Sequence, residues 1–127
     1  MHGIRYPFDS EGNTTKIICR PINIPPHDGR ASARATRWNI KYLKNLKGLC
    51  HLASATCDQI ACCWNSAIGW CNKDEEKEQA RPCSQFGDWA KRIHDKCKDL
   101  HGFKYWVSGD YYNYREKVFV VVGESKC

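Results

Sequence analysis

Residues 60–71, with the sequence IACCWNSAIGWC, decide how the fold is interpreted. Their large apolar side chains recur at every second position, which is the period of a β-strand with one buried face. The same residues in a helix would scatter Trp64 and Trp70 over different sides. We therefore predict a single core strand over 60–71. The positions predicted on its core face are Ile60, Cys62, Trp64, Ile68 and Trp70, with Ser66 as the polar exception.

The segments on both sides of this strand carry the other elements. Apolar residues at helical spacing predict helices over 33–47 and 84–100. Runs rich in β-branched and aromatic residues predict strands over 16–24, 104–111 and 117–122, the last two forming a hairpin. The order along the chain is then β-α-β-α-β-β. The expected fold class is α+β, with two helices packed on a largely antiparallel four-stranded sheet.

The cysteine content indicates the compartment. Nine cysteines in 127 residues is far above ordinary usage, and such density is typical of proteins from an oxidising environment. Structural zinc sites use pairs of Cys-x-x-Cys motifs, and the sequence contains none, so we expect neither a metal nor a cofactor. No apolar run reaches the length of a membrane-spanning helix. We expect one secreted, extracellular, disulfide-stapled domain over 1–127, with 1–15 as a loose N-terminal segment or a vector remnant.

The odd number of cysteines leaves at least one thiol unpaired or paired between molecules. Cys62 and Cys63 are adjacent and cannot easily bridge each other, so each needs a distant partner or one of them is free. Spacing alone does not select among the many possible pairings. We expect a monomer, with an intermolecular disulfide as the alternative. Asn13, followed by Thr14 and Thr15, forms a sequon and is a candidate glycosylation site.

The net charge of +6 originates in one segment. No acidic residue occurs between Gly29 and Gly48, whereas basic and acidic residues cancel in the rest of the chain. The basic positions are spaced by three or four, so those in the predicted helix share one face. Such a face favours an anionic partner, which is an acidic protein, a phospholipid surface or a nucleic acid. The alternative is the solvated side of an ordinary amphipathic helix. The predicted binding residues are Arg30, Arg34, Arg37, Lys41, Lys44 and Lys47.

No motif identifies an enzyme. The sequence lacks the nucleophile elbow of serine hydrolases, the phosphate-binding loop and the dinucleotide-binding loop. A ribonuclease-like enzyme is the main alternative, because His94 and His101 are seven residues apart at the second predicted helix and the basic face would attract RNA. A reactive thiol from the odd cysteine is a further alternative. We predict no catalytic residues and no enzymatic activity.

Residues 62–72, CCWNSAIGWCN, resemble a stretch found in small secreted cysteine-rich proteins of filamentous fungi. The segments 40–50 (IKYLKNLKGLC) and 93–97 (IHDKC) and the terminal Cys127 also resemble that family, so the similarity covers roughly residues 16–127. Many of these proteins are candidate effectors of plant infection. At fold level they resemble the α/β killer toxins of smut fungi and the disulfide-rich avirulence effectors of leaf-infecting fungi.

The resemblance implies a virulence or toxin-like protein that binds a host or competitor molecule, in the host apoplast or inside the host cell. It implies no enzymatic activity, and a membrane-active killer toxin is a further alternative. It also implies that Cys71, Cys97 and Cys127 tie the central strand, the second helix and the tail together. Cys63 and Cys83 depart from the family pattern, so we expect the unpaired thiol at one of them. The expected disulfide cysteines are Cys19, Cys50, Cys57, Cys62, Cys71, Cys97, Cys127 and one of Cys63 or Cys83.

Overall fold

A computed structural model describes residues 14–20 and 30–127, and within these ranges the chain forms two helices and ten strands. The candidate glycosylation site Asn13 lies outside the described residues, as does most of the segment 1–15. The helices are α1 (Ala33–Asn45) and α2 (Cys83–Cys97). The strands are β1 (Thr15–Cys19), β2 (Ala31–Ser32), β3 (Leu49–Leu52), β4 (Cys57–Cys63), β5 (Ser66–Asn72), β6 (Gln79–Pro82), β7 (Asp99–His101), β8 (Lys104–Val107), β9 (Gly109–Asn113) and β10 (Val118–Glu124).

The strands form three sheets rather than one. The largest has five antiparallel strands in the order β1-β9-β10-β5-β4, and two smaller antiparallel sheets have the orders β2-β8-β7 and β3-β6. The α+β class and the mainly antiparallel pairing are therefore confirmed. The single four-stranded sheet and the β-α-β-α-β-β order are wrong. Strands of two to four residues, such as β2 and β7, are too short to display the period-two pattern on which the prediction depended.

The prediction of one strand over 60–71 is also wrong, because the chain reverses inside it. Trp64 and Asn65 have positive φ angles of 48° and 57°, and this two-residue turn joins β4 to β5 in an antiparallel hairpin. Positive φ at both central positions matches the twist of the flanking strands, as in type I′ turns. The two tryptophans consequently separate. Trp70 is 1% exposed in the core, whereas Trp64 at the turn is 67% exposed.

The core lies between the helices and one face of the five-stranded sheet. A row of aromatic rings crosses it, with centroid distances of 4.5 Å between Trp70 and Phe86, 5.6 Å between Phe86 and Trp89, and 5.3 Å between Trp89 and Tyr111. α1 approaches α2 closely at Gly87, where a Cβ atom would lie 3.0 Å from a backbone nitrogen of α1 and 3.1 Å from a carbonyl oxygen of the same helix. Glycine at this position therefore allows the two helices to pack side by side.

Four disulfides join distant parts of this framework. Cys19–Cys97 links β1 to the end of α2, and Cys50–Cys83 links β3 to the start of α2. Cys57–Cys71 closes the β4–β5 hairpin, and Cys62–Cys127 ties β4 to the C-terminus. Of the two candidates for the unpaired thiol, Cys83 is bonded and Cys63 is free. Cys71 bridges within the central stretch, so it does not tie that stretch to α2 or to the tail.

Candidate binding surface

The start of α1 fixes which side of the helix faces outward. Ser32 caps the helix, since its Oγ accepts a hydrogen bond from Ala35 N at 3.3 Å. The hydroxyl of Thr36 donates to the Ser32 carbonyl at 2.9 Å, and the buried Asn39 amide donates to the Ser66 carbonyl at 2.8 Å. The bond from Asn39 holds one side of α1 against the β4–β5 hairpin, and the other two bonds fix the first turn of the helix. The opposite side is therefore left to solvent.

The predicted basic residues occupy that outer side. Arg34, Arg37, Lys41 and Lys44 are exposed along α1 itself. The helix ends at Asn45, two residues before the predicted end, so Lys47 lies beyond it although it is also exposed. Arg30 belongs to the lead-in, is half-buried, and places its guanidinium 4.7 Å from the centre of the Trp106 ring. The helical part of the predicted face thus contains four of the six residues.

One acidic residue of α2, Asp88, forms an ion pair at the end of this row. Lys44 Nζ lies 3.6 Å from Asp88 Oδ1 across the contact between the helices. Arg34 and Lys41, by contrast, have no carboxylate partner among the described residues. Arg37 contacts a histidine rather than an acid. The three cations Arg34, Arg37 and Lys41, hereafter the basic triad, therefore lie on the outer face without an ion pair to a carboxylate of the described residues.

The contact of Arg37 with α2 is made to His94, which is 5% exposed. His94 Nδ1 lies 2.9 Å from Asp95 Oδ1, and its Nε2 lies 3.3 Å from Arg37 Nη1. The neutral tautomer that donates from Nδ1 satisfies both partners. Asp95 is also hydrogen-bonded by Lys91 at 2.6 Å, and these two bonds, the one from Lys91 first, hold the pKa of Asp95 below its usual value. Asp95 therefore orients the His94 ring through one nitrogen, and the other nitrogen positions Arg37.

His101 does not join His94. α2 ends at Cys97, and His101 lies on the exposed strand β7, so the two histidines do not share a helix face as the sequence predicted. The predicted helix is too long because Leu100 continues its apolar spacing, whereas in the structure the chain pairs as β7 with β8 from Asp99 onward. The helix-face pair of histidines that the sequence predicts is therefore not present on α2.

An open groove of about 710 Å³, which no pattern in the sequence predicts, lies between α1 and β4. Trp38 and Tyr42 rise from α1, each 54% exposed, and Trp64 rises from the hairpin turn on the other side. Ile60 and Cys63 contribute to the lining between them. We call this feature the aromatic groove, defined by Trp38, Tyr42 and Trp64. Trp38 and Tyr42 are spaced by four residues, a spacing that in an amphipathic helix is typical of the buried apolar side, so the sequence does not indicate that they line a groove.

The aromatic groove is continuous with the basic triad. Trp38 also lines a hollow of about 270 Å³ together with all three members of that triad. Arg37 and Lys41 in turn line a hollow of about 500 Å³ between the helices, beside Lys91. The groove and the first hollow share Trp38, and the two hollows share Arg37 and Lys41, so the three depressions are connected. We refer to the aromatic groove and the basic triad together as the α1 surface.

The free thiol faces the same groove but is not activated. Cys63 is half-buried, and its Sγ lies 3.5 Å from the Ala35 carbonyl oxygen as a donor. Burial raises the pKa of the Cys63 thiol above its ordinary value. Because the thiolate is the nucleophilic form, this environment disfavours thiol catalysis and metal ligation.

Two further features bear on what the surface can do. The described residues bring together no group of three His, Cys, Asp or Glu side chains suited to a metal ion. Neither helix, in the part of the chain that the structure describes, is long and apolar enough to cross a membrane. The chain was also compared with known protein families and with curated proteins, and no family model and no curated protein matches it.

Proposed function

We propose that this chain is a secreted, non-catalytic binding protein of the effector or toxin type, and that the α1 surface is where it contacts its target. The observation that carries the proposal is the meeting of three unneutralised cations with three exposed aromatic rings on one continuous surface. Tryptophan, tyrosine and arginine are the residues most often found where binding energy concentrates in protein interfaces.

The exposure of the rings supports binding rather than a purely structural role. A large apolar side chain contributes most to stability when it is buried, at roughly 1.5–3 kcal/mol for complete burial. Trp38, Tyr42 and Trp64 each leave more than half of their surface in water, although all three line one groove. Clustered exposed rings of this kind are typical of interaction sites.

The extracellular part of the proposal rests on the cross-links. Eight of nine cysteines are bonded within the chain, which is the pattern expected after folding in an oxidising compartment. The resemblance to small secreted fungal proteins supports a role in plant infection or in competition between fungi. The target is then a host or competitor molecule with a negatively charged surface.

Charge reversal of the basic triad tests the proposal. A variant with Arg34, Arg37 and Lys41 replaced by glutamate should lose retention on plant tissue or fungal cells. The matched control reverses three exposed lysines that line none of the three depressions, Lys96, Lys98 and Lys126, with the same change in net charge. The fluorescently labelled proteins are applied at equal concentration and the bound fraction is measured after washing. Equal retention of the two variants would remove the α1 surface from consideration.

A further inference from the structure

We infer that the α1 surface binds single-stranded nucleic acid, with bases stacked in the aromatic groove and phosphates paired with the basic triad. The inference rests on the proposed function, because it names the partner of the same surface. It requires two conditions of the molecule. The rings must be accessible to flat ligands, and the cations must lie where a backbone leaving the rings would pass.

The first condition is met by the groove itself. Trp38 and Tyr42 are one helical turn apart on α1, and Trp64 lies on the hairpin turn of the facing strand pair. A base entering between the two walls meets rings on both sides, and the volume of about 710 Å³ is sufficient for more than one base. Every base presents a π-face, so stacking of this kind tolerates many sequences.

The second condition is met by the spacing of the cations along α1. Arg34 and Arg37 precede and Lys41 follows Trp38, and all three share a hollow with its ring. A strand whose base stacks on Trp38 therefore has its adjacent phosphates within reach of guanidinium and ammonium groups. Arginine provides planar donors suited to phosphate oxygens, and Lys41 provides a compact charge. His94 holds the guanidinium of Arg37 at 3.3 Å, which limits the freedom that binding would have to remove.

Other anionic partners satisfy only part of this arrangement. An acidic protein segment would pair with the basic triad, but its carboxylates give the rings nothing to stack on. A duplex keeps its bases stacked inside the helix, so a groove walled by side chains cannot reach their faces. A single strand alternates negative charge with exposed flat rings over a short length, and this alternation matches the α1 surface.

The test measures the binding of labelled oligonucleotides of about twelve nucleotides by fluorescence anisotropy. Oligouridine and oligothymidine are expected to bind, whereas a DNA duplex of equal length and a polyglutamate peptide are expected to bind at least about tenfold more weakly. Because thymine carries a methyl group that uracil lacks, oligodeoxyuridine is the matched DNA strand. Tighter binding of oligouridine than of oligodeoxyuridine would identify RNA as the source of the strand, and equal binding would indicate recognition of features common to both strands. With three phosphates neutralised, the logarithm of the affinity should fall with the logarithm of the salt concentration with a slope of about −2.

Variants separate stacking from charge. Trp38→Ala and Tyr42→Ala should each weaken oligouridine binding by about fivefold to a hundredfold, since removal of one stacked base contact has this effect. Phe103→Ala is the matched control, because Phe103 is fully exposed in the turn between β7 and β8 and lines none of the three depressions. Replacing Arg34 and Lys41 by glutamine should reduce the magnitude of the salt slope by about 1.4, as expected for two lost phosphate contacts.

The outcomes distinguish this inference from the proposed function. If polyglutamate binds as well as oligouridine and only the charge variants lose binding, the partner is an acidic protein; the inference then fails and the proposed function stands. Unchanged affinity in Trp38→Ala and Tyr42→Ala would also overturn the inference. If the charge-reversed triple variant retains normal binding to cells as well, the proposed function fails with it. Each variant must show the native unfolding midpoint and one free thiol, so that a loss of binding reports on the surface and not on the fold.

Discussion

Replacing Gly109 by alanine is expected to destabilise the protein by about 1–2 kcal/mol, although alanine is the better residue at most extended positions. Gly109 begins β9 and is paired with Cys19 of β1 on one side and with Val122 of β10 on the other. Its backbone is not in the left-handed region, so the conformation itself is open to alanine. The penalty must therefore come from the space around the new methyl group.

That space is already filled by atoms that cannot easily move. A Cβ at position 109 would lie 2.8 Å from Cys97 Sγ, 2.9 Å from Ile93 Cγ2 and 3.1 Å from the Ile18 carbonyl oxygen. The sulfur belongs to a disulfide, Ile93 is fully buried, and the oxygen belongs to the backbone of a paired strand. Overpacking a core costs about 1–3 kcal/mol, whereas the loss of glycine flexibility in the unfolded chain returns about 0.4–1 kcal/mol.

Urea unfolding followed by tryptophan fluorescence measures this difference in the free energy of unfolding. Gly69→Ala is the control, because that glycine also lies in a strand and a Cβ there would have one close neighbour, the Asp58 carbonyl oxygen at 3.2 Å. We expect Gly109→Ala to lose clearly more stability than Gly69→Ala. A gain of about 0.4–1 kcal/mol for Gly109→Ala would refute the reasoning, because it is the result for an unobstructed position.

Two other predictions concern titratable groups. Burial raises the pKa of Asp110 despite the opposing charge of Arg20 at 3.6 Å, so the folded state holds the proton more tightly than the unfolded state, and stability falls as the pH rises from the ordinary value of 3.8 through the raised value. In urea unfolding, the free energy of unfolding of Asp110→Asn should therefore rise relative to that of the native protein as the pH increases from about 3 to about 7. A difference between the two proteins that does not change with pH would contradict this. Because burial also raises the pKa of the Cys63 thiol, iodoacetamide at neutral pH should modify this thiol more slowly in the folded protein than in the protein unfolded in urea without reduction. In the unfolded protein one thiol per chain should react, and a count of none or of several would contradict the disulfide pairing.

The helices were the most predictable part of the fold. Both α1 and α2 were expected close to their observed positions, because their apolar residues recur with a helical period over more than three turns. The β4–β5 hairpin was not predictable in the same way. Its turn contains Trp64 and Asn65 without glycine, and the alternation of side chains continues across it as if the strand were unbroken. Local patterns carry no signal where a bulky residue is held at positive φ by the sheet around it.

The candidate site also has one part that the sequence predicts and another that depends on tertiary packing. The basic row was visible in the sequence because helical spacing alone places Arg34, Arg37 and Lys41 on one side. The pairing of Lys44 with Asp88 was hidden, since it depends on how close α2 approaches. The aromatic groove was hidden for a similar reason. A tryptophan at an apolar position of a helix normally indicates the core, and only the tertiary arrangement shows that Trp38 faces β4 across open space.

The absence of cysteine from α1 separates the part of the molecule that is cross-linked from the helix that carries the α1 surface. None of the four disulfides is anchored in α1, which is held by its cap, its buried side and the contact at Gly87. The exposed positions of this helix can therefore change without loss of a cross-link or of a core contact. A lineage that must escape recognition, or follow a target that is itself changing, could vary this surface rapidly while the stapled sheet continues to fold.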